Sequence, residues 1–387
     1  MYKKLLLKVM LLSMPIMLLT GFVNYFVDGA FVFKDRSSEI ASILVSGNNA
    51  AIKYVPSNWG DLQTAVVTEN IKRGRLVPKE IMVFGTSRSS EISSELFHGA
   101  SMFNCVIPGG NILDYIGLYG LYKSSNLLPK YLIISLDPWT FHERASVTIN
   151  NKRHSVADPT IPLTVNPDLS KNLELGIGFL TLDSIKNPVI NREPNKIGLI
   201  KELFSPSYFQ SNIEVGLGKV VFVTNNNFES DYFVIRSDGG YSQSKEFEID
   251  SIKVKKKSTD FIEVHNGNFF LTSDTSSRYF DHFKKLLFAL KKDKITPVVY
   301  FSPINPMVYD GLTQDSVVPL ESAVNNFCNS EDIIIIGSFN PHKYGYHTLG
   351  NNFSDPYHPV RSVVNNIFYK HKADLEKIGI TLTDEFN

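Results

Sequence analysis

Five short apolar runs, separated by helix-like stretches, constrain this chain more than any other feature. They are "EIMVFG" (80–85), "SMFNCVI" (101–107), "KYLIISLD" (130–137), "ITPVVYFS" (295–302) and "EDIIIIG" (331–337). Their centres are nearly all apolar instead of alternating, as expected of strands covered on both faces. Apolar residues at helical spacing follow in "NILDYIGLYGLYKSS" (111–125), "SRYFDHFKKLLFALKKD" (277–293) and a last helix over 360–375. Buried strands alternating with helices predict an α/β fold: a doubly wound, parallel five-stranded sheet in a three-layer α/β/α arrangement. A chain of 387 residues, 43% hydrophobic and 20% charged, has ample material for that core. Ligands of such sheets bind beyond the carboxyl ends of the strands.

The remaining segments divide around this rhythm. Residues 58–144 and 276–387 form the α/β domain, with a helix expected over 61–72. Residues 145–275 are richer in Asn, Ser and Pro and read as an insertion with small β elements around the "SDGG" turn (237–240). Residues 31–57 read as an irregular linker, and residues 1–30 as an N-terminal membrane anchor. There Lys3, Lys4 and Lys8 precede 19 uncharged residues, Val9 to Val27. That length suits a transmembrane helix, and lysines on its N-terminal side put the rest of the chain outside the cytoplasm. A cleaved signal peptide is the rival reading; the long apolar run and the lack of a small-x-small cleavage site favour an uncleaved anchor. A buried core helix is a third possibility, but the run has no polar side.

Lys+Arg and Asp+Glu both total 39, so there is no basic excess to gather on a nucleic-acid-binding face. The one dense basic cluster, "KVKKK" (253–257), reads as a solvated strand edge or turn. Cys105 and Cys328 lie among apolar residues and read as buried free thiols, with a disulfide as the alternative in an oxidising compartment. No zinc-type ligand cluster, phosphate loop, dinucleotide fingerprint or Gly-x-Ser-x-Gly elbow is present in the sequence, so neither a metal nor another cofactor is expected.

The chemistry-bearing residues fall at strand ends. "EIMVFGTSRSSEI" (80–92) puts Ser87 at the end of the first strand, with Ser89 and Ser90 expected to start and cap a helix. A serine needs a base, and the base a third group to orient it. Among nine histidines, His358 alone lies three residues after an aspartate, Asp355, in "NNFSDPYHP" (351–359). Asp355 can hold one imidazole nitrogen while the other faces Ser87; alternatively, Asp355 caps the last helix and His358 lies on the surface. In "NCVIPGGNI" (104–112), Gly109 and Gly110 offer bare backbone N–H groups suited to a developing oxyanion, or form a plain turn before an N-cap at Asn111. Arg88 is suited to contacting an anionic group or pairing with an acid. Asp137 and Trp139 in "SLDPWTF" and Asn305 in "SPINP" stand at further strand ends as possible substrate-binding residues, Asn305 alternatively as a turn residue. Tyr115, Trp139, Tyr309 and Tyr357 are candidates to stack on sugar rings, the aromatic residues otherwise being core.

The ordered stretches "FGTS", "NCVIPG" and "DPYH" resemble the SGNH (GDSL-like) hydrolase superfamily. That resemblance implies Ser87 as nucleophile and N–H donor, Gly109 as second oxyanion donor, Asp355 as orienting acid and His358 as base. The sequence departs from the family at the third strand, where "SLDPW" stands in place of an element carrying an oxyanion-hole asparagine. "SLDPW", "FSPINP" and an N-terminal anchor are similar to membrane-anchored proteins of cell-envelope acylation, of the teichoic acid D-alanyl transfer and alginate O-acetylation types. The resemblance implies an extracytoplasmic acyltransferase or esterase acting on an envelope polysaccharide, partnered by a polytopic membrane O-acyltransferase. The alternative is a non-catalytic glycan-binding or scaffold protein on the same fold.

Overall fold

The computed structural model describes residues 2–28, 33, 37–46, 51–52, 65–71, 79–142, 200–214, 222–223, 234–242, 249–264, 278–311 and 317–384, apart from positions 68, 108, 202 and 349. The five apolar runs all form strands: β1 (Ile81–Gly85), β2 (Met102–Val106), β3 (Tyr131–Leu136), β4 (Thr296–Phe301) and β5 (Ile334–Gly337). They make one all-parallel sheet in the order β2-β1-β3-β4-β5. The chain leaves β1 for β2 on one side, then crosses to β3 on the other. A crevice therefore opens beyond the carboxyl ends of β1 and β3, where neighbouring connections run in opposite directions.

Both faces of the sheet are covered, which is why the strands carry so few polar side chains. Helices α1 (Ile112–Ser124), α2 (Arg278–Lys292) and α3 (Val318–Ser330) pack on one face, with Phe84, Tyr115, Ile134 and Phe283 in the shared core. Helix α4 (Arg361–Lys370) covers the other face, where Val83, Ile133, Tyr300 and Phe368 meet. Helix α1 starts at a capping box: Asn111 accepts from the Leu113 and Asp114 N–H groups while Asp114 accepts from the Asn111 N–H.

Several expectations are corrected. The segment 31–57 is more than an irregular linker. It contains a helix, Ser37–Ser46, whose Ile40, Ala41 and Leu44 enter the core, and a strand, Ala51–Ile52. That strand lies in a second, antiparallel sheet between Phe222–Val223 and Val234–Arg236, the latter pairing onward with Tyr241–Ser242. The basic run 253–257 lies within a helix, Ser251–Val264, that buries Val254 and Ser258 and leaves its lysines in solvent. Lysine is a good helix former, and spacing, not charge density, decided the element. No α-helix follows β1; the chain makes two single 3₁₀ turns, Ser87–Ser89 and Ser94–Leu96. The helix expected over 61–72 is described for 65–71, and most of the insertion, 143–199 included, lies outside the described residues.

A 26-residue helix, Tyr2–Val27, occupies the N-terminus. Its described apolar side chains, among them Leu12, Ile16 and Phe22, are exposed. Two polar residues at its end are buried: Asn24 donates to the carbonyls of Leu203 and Ser205 (3.0 and 3.1 Å), and Asp28, just past the helix, accepts from the Tyr208 hydroxyl (2.7 Å). Among the described residues no helix is long and apolar enough to cross a membrane, so the transmembrane helix expected within 1–30 is not found among them. Cys105 and Cys328 are buried free thiols, burial raising each pKa to about 12.

Candidate active site

The site begins with a turn that has no room for a side chain at its start. A Cβ on Gly85 would lie 2.1 Å from Ser89 Oγ and 2.9 Å from Ser135 Cβ. Glycine therefore lets the chain bend sharply off β1. Thr86 caps the following 3₁₀ turn by accepting from the Arg88 N–H, and Ser89 closes it with N–H and Oγ both donating to the Thr86 carbonyl. A 3₁₀ turn has about three residues per revolution, so adjacent side chains diverge. Ser87 is left half-buried at the rim of the sheet, whereas Arg88 and Ser89 are buried.

The second part is the loop before α4. Phe353 and Pro359 bridge antiparallel, and the Ser354 N–H donates to the His358 carbonyl at 3.0 Å. Inside this tight loop, Asp355 Oδ1 accepts the N–H groups of Tyr357 and His358, both at 2.9 Å. Its other oxygen meets His358 Nδ1 at 2.5 Å, and His358 Nε2 lies 2.8 Å from Ser87 Oγ. The aspartate thus caps its own turn and orients the imidazole; helix α4 takes its N-cap at Val360 instead. The contacts define the tautomer: Nδ1–H donates to the carboxylate, leaving Nε2 to accept the Ser87 proton. Burial opposes charge on Asp355, but His358 and the three hydrogen bonds outweigh it and hold the carboxyl below its ordinary range.

Arg88 and Asp137 form the floor of the site. Arg88 Nη1 donates to Asp137 Oδ1 (3.0 Å), Nη2 to the carbonyls of Ser302 and Pro303 (2.6 and 2.8 Å), and Nε to the Tyr357 carbonyl (3.0 Å). The guanidinium also lies 6.0 Å from the Trp139 ring and 5.9 Å from that of Phe339. Asp137 additionally accepts from the Thr86 hydroxyl. Burial raises the Asp137 pKa and lowers that of Arg88, while their pairing opposes both shifts. Of the roles open to Arg88, the structure uses pairing with an acid. Asp137 is buried with it and presents nothing to a substrate.

Other candidates are placed as follows. Tyr115 and Trp139 are core residues, which corrects their suggested role in stacking on sugars. Trp139 packs edge-on against Tyr357, which also contacts Phe261 and the His358 ring. Tyr309 and Tyr357 are partly buried. Asn305 is a buried turn residue: its Oδ1 accepts the Met307 N–H, and its Nδ2 donates to the Asp355 carbonyl (3.2 Å) and Ser258 Oγ (3.4 Å). It braces the aspartate loop instead of pointing into the crevice. Gly109 has φ +64° just beyond β2, on the rim shared with Ser87, and the Gly110 N–H is bonded to Ile107. Neither Ser89 nor Ser90 replaces Ser87, since both are buried in the turn.

The small β elements expected around the "SDGG" turn form a hairpin, Val234–Ser242, and its docking at this rim was not foreseen. Arg236 Nη2 donates to the carbonyls of Ser90 and Ile92 (2.8 and 3.3 Å), and Asp238 Oδ2 accepts the Ser94 N–H at 2.8 Å. The "SDGG" turn was visible, but nothing local told where it docks. Gly239 sits at φ +82°, and a Cβ there would meet the Asn104 carbonyl at 2.3 Å. Among the described residues no group of three or more His, Cys, Asp or Glu side chains is arranged to hold a metal.

The fold and this rim define an α/β protein with a serine–histidine–aspartate relay at the switch point of a parallel sheet. No family model matches the chain, and no curated protein matches it either.

Proposed function

We propose that the chain is a serine acyltransferase or esterase of the SGNH type, working through an acyl-Ser87 intermediate. The observation that carries this reading is the continuous relay from Asp355 through His358 to Ser87, at 2.5 and 2.8 Å. In the first half-reaction Ser87 Oγ bonds to the carbonyl carbon of an acyl ester as its proton passes to His358 Nε2. The tetrahedral intermediate then expels the alcohol, which leaves with that proton. In the second half, water or an acceptor hydroxyl gives its proton to His358 and attacks the acyl-serine carbonyl, restoring Ser87. Asp355 stays ionised throughout and stabilises the imidazolium. The N–H groups of Ser87 and Gly109 are the proposed backbone oxyanion donors.

The resemblance to cell-envelope acylation proteins extends this to a setting. That resemblance implies a place at the cytoplasmic membrane with the α/β domain on the extracytoplasmic side, and the exposed apolar side chains of the N-terminal helix support attachment to a membrane. The chain's substrate is an envelope polysaccharide, and its partner a polytopic membrane O-acyltransferase that delivers the acyl group. A non-catalytic scaffold is the second reading, favoured by one observation: β3 ends in Asp137, a carboxylate buried on Arg88, where the family carries an asparagine donor. A fluorophosphonate probe separates them. Labelling of the wild type that disappears in Ser87→Ala is expected; absence of labelling in the wild type overturns the enzyme reading.

A further inference from the structure

A hydroxyl offers one donor and two lone pairs, and Ser242 uses all three. Its Oγ accepts from Arg236 Nη1 at 2.5 Å and from Arg361 Nη2 at 2.6 Å, and donates to Glu91 Oε2 at 2.7 Å. Guanidinium groups only donate and a carboxylate only accepts, so these directions are fixed. The same Glu91 oxygen lies 3.9 Å from Arg236 Nη1 and 3.5 Å from Arg361 Nε, a counter-charge shared by both arginines. Ser242 and Arg236 are buried, which strengthens each of these bonds relative to the same contacts in water.

This junction joins the two halves of the relay through the inserted hairpin. On one side, Arg236 Nη2 donates to the carbonyls of Ser90 and Ile92, and the Tyr241 N–H reaches the Ser90 carbonyl at 3.1 Å. Ser90 follows Ser87 by three positions. On the other side, Arg361 follows His358 by three positions and opens α4, and its Nη1 donates to Glu95 Oε2 at 3.2 Å. The path of Arg236 is preset. A Cβ on Gly240 would lie 2.0 Å from Arg236 Nη2 and 2.7 Å from the Ser90 carbonyl oxygen, so only glycine leaves the guanidinium room. Asp238 Oδ1 accepts from Arg236 Nε at 3.1 Å and from the Gly240 N–H at 3.0 Å. Arg88 already ties the nucleophile turn to the Tyr357 carbonyl, and the hairpin adds a separate tie between the same two segments.

We propose that Ser242 is a positioning residue for the relay. Through Arg236 and Arg361 its hydroxyl holds the nucleophile turn and the start of α4 in register, and so sets the 2.8 Å approach of Ser87 Oγ to His358 Nε2. This rests on the acyl-serine reading above. Ser242 touches none of the reacting atoms; it limits how far the two segments can drift apart. A misplacement of about 1 Å at a reacting centre can cost on the order of a hundredfold in rate, so a remote hydroxyl has leverage on the chemistry. The inserted region thereby completes the site instead of merely lying beside it.

The test follows fluorophosphonate labelling of the full-length chain in detergent to completion. The end point counts folded, reactive sites, whereas the rate constant reads the alignment of each site. Ser242→Ala is expected to slow labelling roughly 10- to 100-fold with the end point unchanged. Ser242→Thr keeps the hydroxyl and is expected to stay within about threefold of wild type. Arg361→Gln breaks only the tie on the side of the base and is expected to slow labelling to a similar extent, which keeps the proposal testable if Ser242→Ala folds poorly. Rate constants of Ser242→Ala and Arg361→Gln close to wild type, with Ser87→Ala unlabelled, overturn the role of Ser242 and leave the acyl-serine reading intact. So does a fall in end point at an unchanged rate constant, which would mark the junction as structural, and so does a Ser242→Thr as slow as Ser242→Ala. If the wild type takes no label, the acyl-serine reading falls and the positioning role falls with it.

Discussion

Ser87 and Arg88 are consecutive residues with opposite fates. Ser87 stays at the rim and meets one base, whereas Arg88 is 1% exposed and has all three guanidinium nitrogens bonded to protein. One 3₁₀ turn produces both, because its tight pitch sends neighbouring side chains in different directions. The contrast teaches how a half-exposed relay is held still. Arg88 binds the carbonyl of Tyr357, the residue before His358, and braces that loop against the ends of β3 and β4. The reactive group and the group that aligns its base thus come from adjacent codons.

That comparison predicts losses of different kinds on the two sides of the turn. The largest is at the rim. Asp355→Asn offers the imidazole the wrong partner and is expected to cut kcat on the order of 10³–10⁴-fold. Steady-state ester hydrolysis checks it, and a loss below tenfold would break the relay side of the comparison. Arg88→Met attacks the floor: it strands a buried carboxylate and is expected to cost about 3–5 kcal/mol in denaturant unfolding. Arg88→Met/Asp137→Leu is expected to recover most of that stability but not the activity, since the Tyr357 carbonyl still lacks its donor. Full recovery of both would show that the pair supports the sheet alone.

The smallest effect is on pH dependence. The Asp355 pKa lies below its ordinary value of 3.8 in the folded protein, so the unfolded chain binds its proton first as pH falls. Its contribution to stability is present above the ordinary carboxylate range and lost as pH drops through the lowered value. Acid unfolding of wild type and Asp355→Asn should therefore converge below about pH 4. A stability difference that stays constant through that range would remove Asp355 from the linkage.

The architecture was legible because strands buried on both faces announce themselves as apolar runs, and all five did. Ser87, Asp355 and His358 were legible for another reason: each sits at a boundary the strand rhythm already marked. The floor was not. Arg88 and Asp137 are 49 positions apart, and neither residue's neighbours show that it will be buried and paired. The helix Ser37–Ser46 was hidden by its setting between polar stretches, although Ile40, Ala41 and Leu44 share one face. Tyr241 lay in a segment whose alternation is visible and whose docking partner is not, because its contact with Ser90 joins segments far apart in the sequence.

The relay also has a consequence for biogenesis. Ser87 and His358 are separated by 271 positions, and Asp355 comes only three before the histidine. During synthesis the serine emerges long before its base, so a nascent chain carries an ordinary unreactive hydroxyl. A product truncated between Ser87 and His358 keeps the serine but lacks the histidine that meets it. If Ser87 is the proposed nucleophile, its activation is thereby coupled to synthesis of the C-terminal part of the chain.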